Sequence, residues 1–353
     1  MKMIGLLFFV IFNISILFFI FVNSRRYLME DYITRTIKHK RNQKYSYLYF
    51  DKHKNKVDPK IVKTCLQGLY ISPAHNNVKI NLNKNDKILA IGYDNKNRPQ
   101  YVYNKKFIKS QSEKKYDHMI KFGKSYQKII NQINKDMFDE NDSKNKQIAS
   151  ALKLIIECNF RIGNDKYLKE NKSYGVTTLL NEHIKINGDT VTLDFIGKKG
   201  VQNKCRVKNK KLSKNLKLKK RTLNKKDRIF TYRKKNKYYN LKSADVNKYL
   251  KQFGDFSAKN FRTWIANLEF ITLLLKNDEI TSLTERKKII NESIESIANK
   301  LHNTKSVCKS NYIDPYLTET YLNDHRRFMS TFQNSFSKDE ISKKYIELLN
   351  HKL

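Results

Sequence analysis

His183-Ile184-Lys185-Ile186-Asn187-Gly188-Asp189-Thr190-Val191-Thr192-Leu193-Asp194-Phe195-Ile196-Gly197-Lys198-Lys199-Gly200 decides how the middle of this chain folds. Apolar and polar residues alternate on both sides of Asn187-Gly188, which is the period of strands with one buried face. Asn-Gly supplies the positive φ angles of a type I′ turn, so the two runs close as an antiparallel hairpin. Gly197 to Gly200 ends the second strand, and Val201 to Val207 returns as a third. Lys198 therefore sits at the tip of a loop between strands.

Helical patterns flank this sheet. One runs from about Tyr116 to Met137, with Met119, Ile120, Phe122, Tyr126, Ile129, Ile130 and Ile133 on one side. The polar stretch Asp139 to Lys146 reads as a turn. A second helix, 147 to 160, places Leu152, Ile155, Ile156 and Phe160 inward. The lysine-dense stretch 208 to 237 reads as an exposed loop with strand fragments. Beyond 243 the pattern is mostly helical, and 284 to 301 carries Ile289, Ile290, Ile294, Ile297, Ala298 and Leu301 at helical spacing.

Upstream, residues 28 to 56 are polar and basic, and short strands follow. Val78 to Leu82, Lys87 to Tyr93 and Gln100 to Tyr103 alternate, with Asp94 to Pro99 breaking the last two apart. The expected class is α+β. A small β-rich N-terminal domain spans 28–115, and a larger, mainly α domain with the hairpin sheet spans 116–353. No internal repeats are visible.

The 353 residues carry 72 Lys plus Arg against 33 Asp plus Glu, a formal net charge of +39. Such a charge opposes compaction and calls for a polyanionic partner, although a Lys/Asn-rich proteome bias contributes as well. The charge is spread along the chain, as suits a protein that encloses a duplex. Cys65, Cys158, Cys205 and Cys308 form no CxxC pair and no metal spacing. Cys158 reads as a small buried hydrophobe, and a reducing compartment without structural zinc fits.

Met3 to Val22 is almost wholly apolar, and Arg25-Arg26 follow it. Its length suits a bilayer-spanning helix, and the positive-inside rule puts the basic domain on the cytoplasmic side. No clear small-x-small cleavage site follows, so 1–27 reads as an anchor. The alternative is a true start at Met29.

The reactive candidate is Tyr312, in Leu301-His302-Asn303-Thr304-Lys305-Ser306-Val307-Cys308-Lys309-Ser310-Asn311-Tyr312-Ile313-Asp314-Pro315. It follows a predicted helix and a polar turn. Arg161 stands in Phe160-Arg161-Ile162-Gly163-Asn164-Asp165-Lys166-Tyr167-Leu168, and Arg262 in Lys259-Asn260-Phe261-Arg262-Thr263-Trp264. Read singly, each is unremarkable. A helix C-terminus favours an arginine for its dipole, and a loop tip in this chain carries lysines in any case. Breaking a phosphodiester without metal or water needs a nucleophile, cations on the non-bridging oxygens and an acid for the leaving oxygen. A phenol with a reference pKa of about 10 needs a positive field to act as that nucleophile.

Together these segments resemble the type IB DNA topoisomerases of poxviral and bacterial kind, over roughly residues 40 to 320. The resemblance implies that Tyr312 forms a 3′-phosphotyrosyl ester and that Arg161 and Arg262 hold the phosphate. Lys198 would be the general acid, with Lys199 next to it as a competitor. Lys166 and Tyr167, and Gly175-Val176-Thr177-Thr178-Leu179 beyond them, match the family's run after its first arginine. Poxviral members place a histidine nine residues before the tyrosine. Here Asn303 takes that place, as in bacterial members, and His302 is one residue early.

The N-terminal resemblance runs through Leu69 to Ala74, Gly92-Tyr93-Asp94 and Arg98 to Tyr103. It implies DNA contact by Gln100, Tyr101 and Tyr103, although alternating tyrosines also suit a strand core. The implied activity is relaxation of supercoiled duplex DNA by transient nicking, by a monomer associated with intracellular DNA. No cofactor and no metal are implied, and no Walker loop or carboxylate cluster is present in the sequence. A tyrosine recombinase shares the chemistry, but there the second arginine follows a His-x-x spacing, and Lys259 holds the histidine's place here. A membrane-anchored basic protein that only binds DNA would leave the ordered motifs without a use.

Overall fold

The computed structural model describes residues 29–41, 44–235, 237–276, 282–335 and 337–350. The apolar run 3–22 lies outside them. Among the described residues no helix is long and apolar enough to cross a membrane. The chain forms two compact units that meet between Lys114 and Lys115, and each is described by itself.

The first unit is built on β1 (Tyr32–Arg41), β2 (Lys44–Phe50), α1 (Pro59–Leu66), β3 (Asn76–Asn81), β4 (Ile88–Tyr93) and β5 (Pro99–Tyr103). The strands form one antiparallel sheet in the order β2-β1-β3-β4-β5. Helix α1 starts where Asp58 accepts from the Lys60 N–H and Pro59 presets the first turn. Its Val62 and Cys65 join Ile33, Val78, Ile80 and Ala90 in a small core. Strands β1 and β2 occupy the stretch read only as polar and basic. Of their described side chains Ile33 alone is fully buried, so the alternation there has little apolar contrast.

Helix α2 (Lys105–Asp136) begins in this unit and continues into the second. There it is followed by α3 (Lys144–Cys158), α4 (Asp165–Asn171) and the antiparallel strands β6 (Ile184–Asn187), β7 (Thr190–Ile196) and β8 (Gln202–Lys208). Next come α5 (Lys210–Thr222), the ribbon β9 (Thr231–Lys234) and β10 (Lys237–Asn240), and α6 (Ser243–Leu250). Helices α7 (Ala258–Leu274), α8 (Leu283–Lys300), α9 (Lys305–Asn311), α10 (Pro315–Asn323), α11 (His325–Phe332) and α12 (Lys338–Asn350) complete the unit. The architecture is mixed helix and strand, a small sheet unit and a larger helical one, as the α+β reading expected.

Helix α7 is buried nearly all round, which its apolar residues on every face require. Trp264 is fully buried, and a Cβ at Gly123 of α2 would run into its indole. Glycine therefore allows these two helices to approach.

Four sequence readings need correction. The β6–β7 hairpin forms, but Asn187 pairs with Thr190, so the turn is centred on Gly188-Asp189. Gly188 alone takes a positive φ, +55°, at the first central position, which is the type II′ pattern and not type I′. The lysine-dense loop contains helix α5, capped by Asn209, with Leu212, Leu216 and the stem of Lys219 turned inward. Phe160 lies beyond the end of α3, which Asn159 terminates in the left-handed conformation at φ +54°. Cys158 is not a free buried thiol, because it forms a disulfide with Cys205 of β8. Their Cα atoms are 5.8 Å apart, within disulfide reach, because the end of α3 packs beside the sheet.

Candidate active site

Arg161 owes its place to what surrounds its backbone. Asn159 stops α3, and Phe160 then buries its ring edge-on against Phe195 of β7, with centroids 4.8 Å apart. The Arg161 carbonyl accepts from the Val176 N–H at 2.9 Å, and the Ile162 carbonyl from the Thr177 N–H at 2.7 Å. Gly163 follows at φ +89°, against Gly175, where no side chain would fit. The Gly175-Val176-Thr177 run thus clamps the backbone that carries Arg161.

Arg262 projects from the first turns of buried α7 and is 4% exposed. It donates to the Asn159 carbonyl and, at 3.0 Å, to the Leu301 carbonyl. One arginine thereby ties the end of α3 to the end of α8. Its Nε, also buried, has no hydrogen-bond partner among the described residues. Burial is the largest influence on Arg262 and lowers its pKa; the Tyr312 phenol opposes that, and Arg161 adds to it.

Asn303 lies just after α8, in the polar turn before α9. Its amide oxygen accepts from Arg161 at 2.7 Å, and its amide nitrogen donates to the Leu301 carbonyl at 3.2 Å. The residue in the histidine's place therefore orients the first arginine.

Tyr312 follows directly on α9, a short helix that the sequence reading took as part of a turn. Burial raises its pKa. The charges of Arg262 and Arg161, with hydrogen bonds from Arg262 and Asn303, outweigh that and hold it below the ordinary phenol value. Asn267 of α7 donates to the Tyr312 carbonyl at 2.9 Å and accepts from the Asp314 N–H at 2.8 Å.

Lys198 occupies the turn between β7 and β8, closed by the Gly197 N–H donating to the Val201 carbonyl at 2.8 Å. Its ammonium lies 5.9 Å from the centre of the Tyr167 ring. Lys199 beside it adopts φ +65°. Arg161, Tyr167, Lys198, Arg262, Asn303 and Tyr312 all line one cavity of about 980 Å³.

The remaining sequence candidates sit on α4 and β5. Lys166, on exposed α4, faces Glu170 at 3.9 Å and is not among the cavity's lining residues. Gln100, Tyr101 and Tyr103 belong to the first unit, on strand β5. Gln100 donates to Asp94 at 3.2 Å, while Tyr101 and Tyr103 are exposed on one face with rings 5.9 Å apart. They pack no core, so the core reading of these tyrosines does not hold.

Sequence reasoning missed other cavity residues. His302, one residue early for the histidine's place, lines the cavity at φ +52° with its ring stacked on Phe160. Burial first, then the charges of Arg262 and Arg161, lower its pKa, which favours the neutral ring. Lys259 lines the cavity too. It sits one turn before Arg262, a spacing that could have pointed to it. Asn267, which is not a lining residue of the cavity but bonds the Tyr312 carbonyl, had no signal, because an asparagine on an apolar helix reads only as a defect.

Two guanidiniums and an amide act on one phenol of lowered pKa, and Lys198 lines the same cavity, a set whose chemistry suits a phosphodiester. Among the described residues no group of His, Cys, Asp and Glu could hold a metal ion. Residues 104–335 match the catalytic core of eukaryotic DNA topoisomerase I. The chain is 31% identical over 300 residues to DNA topoisomerase 1B of Acanthamoeba polyphaga mimivirus, covering 82% of this chain and 88% of the relative. It is 29% identical over 235 residues to DNA topoisomerase 1B of Vaccinia virus (strain Copenhagen), covering 66% and 72%. A further match, 29% over 209 residues, is DNA topoisomerase 1 of Schizosaccharomyces pombe, with 58% of this chain and 24% of that protein covered. The chain belongs to the type IB DNA topoisomerases.

Proposed function

We propose that this chain relaxes supercoiled duplex DNA with Tyr312 as its nucleophile, and that the residues around the cavity divide the work as follows. The Tyr312 phenol gives its proton to solvent and its oxygen attacks a backbone phosphorus, forming a P–O bond while the bond to the 5′ oxygen breaks. Arg161 and Arg262 neutralise the non-bridging oxygens as charge gathers there. Lys198 gives its proton to the departing 5′ oxygen. Asn303 orients Arg161 and hydrogen-bonds the phenol. The free 5′ end swivels, and the reverse step expels Tyr312 and reseals the strand.

The observation that carries this reading is the convergence of Arg161, Arg262 and Asn303 on Tyr312, whose phenol they hold below its ordinary pKa. Each chemical role falls to a side chain, so relaxation is expected in EDTA without ATP. Tyr101 and Tyr103, with Gln100, Lys166 and Tyr167, are read as DNA contacts, because exposed aromatics and cations suit a nucleic-acid surface. The active form is read as a monomer. The test is relaxation of supercoiled plasmid and detection of protein linked to DNA 3′ ends. Tyr312→Phe should abolish both while leaving DNA binding nearly unchanged. A covalent product from that variant would remove Tyr312 from its role.

A further inference from the structure

The three residues Tyr312 to Asp314 run between α9, which ends at Asn311, and α10, and side chains from elsewhere take up the carbonyls of Asn311, Tyr312 and Ile313. Lys115 donates to the Asn311 carbonyl at 2.7 Å, Asn267 to the Tyr312 carbonyl at 2.9 Å and Tyr116 to the Ile313 carbonyl at 2.7 Å. The Asp314 N–H donates to Asn267 at 2.8 Å. The Tyr312 and Ile313 N–H groups close on the Cys308 carbonyl, and the side chains that take up the carbonyls and the Asp314 N–H fix the path beyond that point.

Asp314 is the fully buried end of this run. One carboxylate oxygen caps α10 by accepting from the Tyr316 N–H at 3.0 Å. The other accepts from the Tyr345 hydroxyl at 2.9 Å. Tyr345 belongs to α12, near the C-terminal end of the chain, and is itself fully buried with its ring 5.1 Å from that of Trp264. A buried carboxylate is costly unless its oxygens are bonded, so this pairing fixes where Asp314 lies.

We propose that Asp314 and Tyr345 are positioning residues for Tyr312: the buried Tyr345–Asp314 hydrogen bond, supplied by the C-terminal helix, sets the turn that aims the phenol into the cavity. The inference rests on the reading of Tyr312 as nucleophile. It gives the last helix a part in the chemistry although that helix contributes no residue to the cavity.

The test uses the full chain and a DNA duplex nicked close to the cleavage site, so that the short released strand leaves and every active molecule ends covalently bound. Tyr345→Phe keeps the ring in the core and removes the hydroxyl alone. The cleavage rate constant at saturating protein should fall about 10- to 100-fold, the scale on which a misplaced reacting group acts. The final covalent fraction and the DNA dissociation constant should stay within about twofold, since neither depends on aim. A merely structural hydroxyl would do the reverse, lowering the covalent fraction and the melting temperature with the rate constant unchanged.

Asp314→Asn approaches the same bond from its other partner and should also slow cleavage. The double variant should be no slower than the slower single one, because the two changes remove one interaction. Wild-type rates in both single variants, with Tyr312→Phe inactive, would overturn the positioning role and leave the nucleophile assignment standing. Covalent product from Tyr312→Phe would instead overturn the reading beneath it.

Discussion

The guanidinium carbon of Arg262 lies 5.5 Å from the centre of the Tyr312 ring, and the same guanidinium is anchored on the carbonyls of Asn159 and Leu301. Its forked shape serves two structural carbonyls and still presents charge to the phenol. A lysine offers a point charge without that fork. Arg262→Ala should lower the cleavage rate about 10²- to 10³-fold, and Arg262→Lys should recover little of it. Single-turnover cleavage, with melting temperature as the control for folding, checks this. Full recovery by lysine would reduce the role of Arg262 to charge alone.

Lys198→Ala should slow cleavage on ordinary DNA. Replacing the leaving 5′ oxygen by sulfur should restore most of the rate, because a thiolate departs without a proton donor. Arg161→Ala and Arg262→Ala should gain nothing from the sulfur, since the role proposed for them is transition-state charge. Rescue of Lys199→Ala in place of Lys198→Ala would move the acid by one residue.

The pH dependence has a definite sign. Burial raises the pKa of Tyr312, the two guanidiniums and the hydrogen bonds from Arg262 and Asn303 lower it, and the net shift is downward from 10.0. On the 5′-sulfur substrate, which needs no acid, the cleavage rate should rise with pH and level off below pH 10. Arg161→Ala removes a cation that favours the phenolate, so the levelling point should move to higher pH. An unmoved profile would show that Arg161 does not act on the phenol.

Removing residues 1–27 should leave relaxation intact, because every cavity residue lies at Arg161 or beyond. If the apolar run is an anchor, the full chain should sediment with membranes and the truncated chain should not. A natural start at Met29 predicts instead that no peptide from residues 1–27 is found by mass spectrometry. Loss of activity in a folded truncation would mean that the segment takes part in the reaction.

Much of this site was legible because its residues come in local runs. Phe160 to Leu168, Lys259 to Trp264 and the β7 turn each carry a chemical group together with the glycines or aromatics that place it. What escaped the sequence depends on contacts across long separations. Asn267 meets Tyr312 across 45 residues and Tyr345 meets Asp314 across 31, and no spacing rule joins such pairs. Helix α9 was missed because seven residues with only Cys308 buried show no period. Helix α5 was missed because Ser213, Asn215 and the stem of Lys219 occupy buried positions that apolar residues usually take. The hairpin was read correctly, but its turn was placed one residue early, because Asn-Gly fits a type I′ centre as readily as it precedes a type II′ one.

The Cys158–Cys205 bridge has a consequence for the unfolded chain. It closes a ring with a sequence separation of 47, and both Arg161 and Lys198 lie inside that ring. By the loop-entropy relation, a ring of this size withholds about 4 kcal/mol of disorder from the denatured ensemble. A heated molecule with its bridge intact therefore keeps Arg161 and Lys198 within one closed ring, while Arg262 and Tyr312 lie on the linear remainder. Renaturation then has to bring Arg262 and Tyr312 back to a pair that the ring has kept on a short tether.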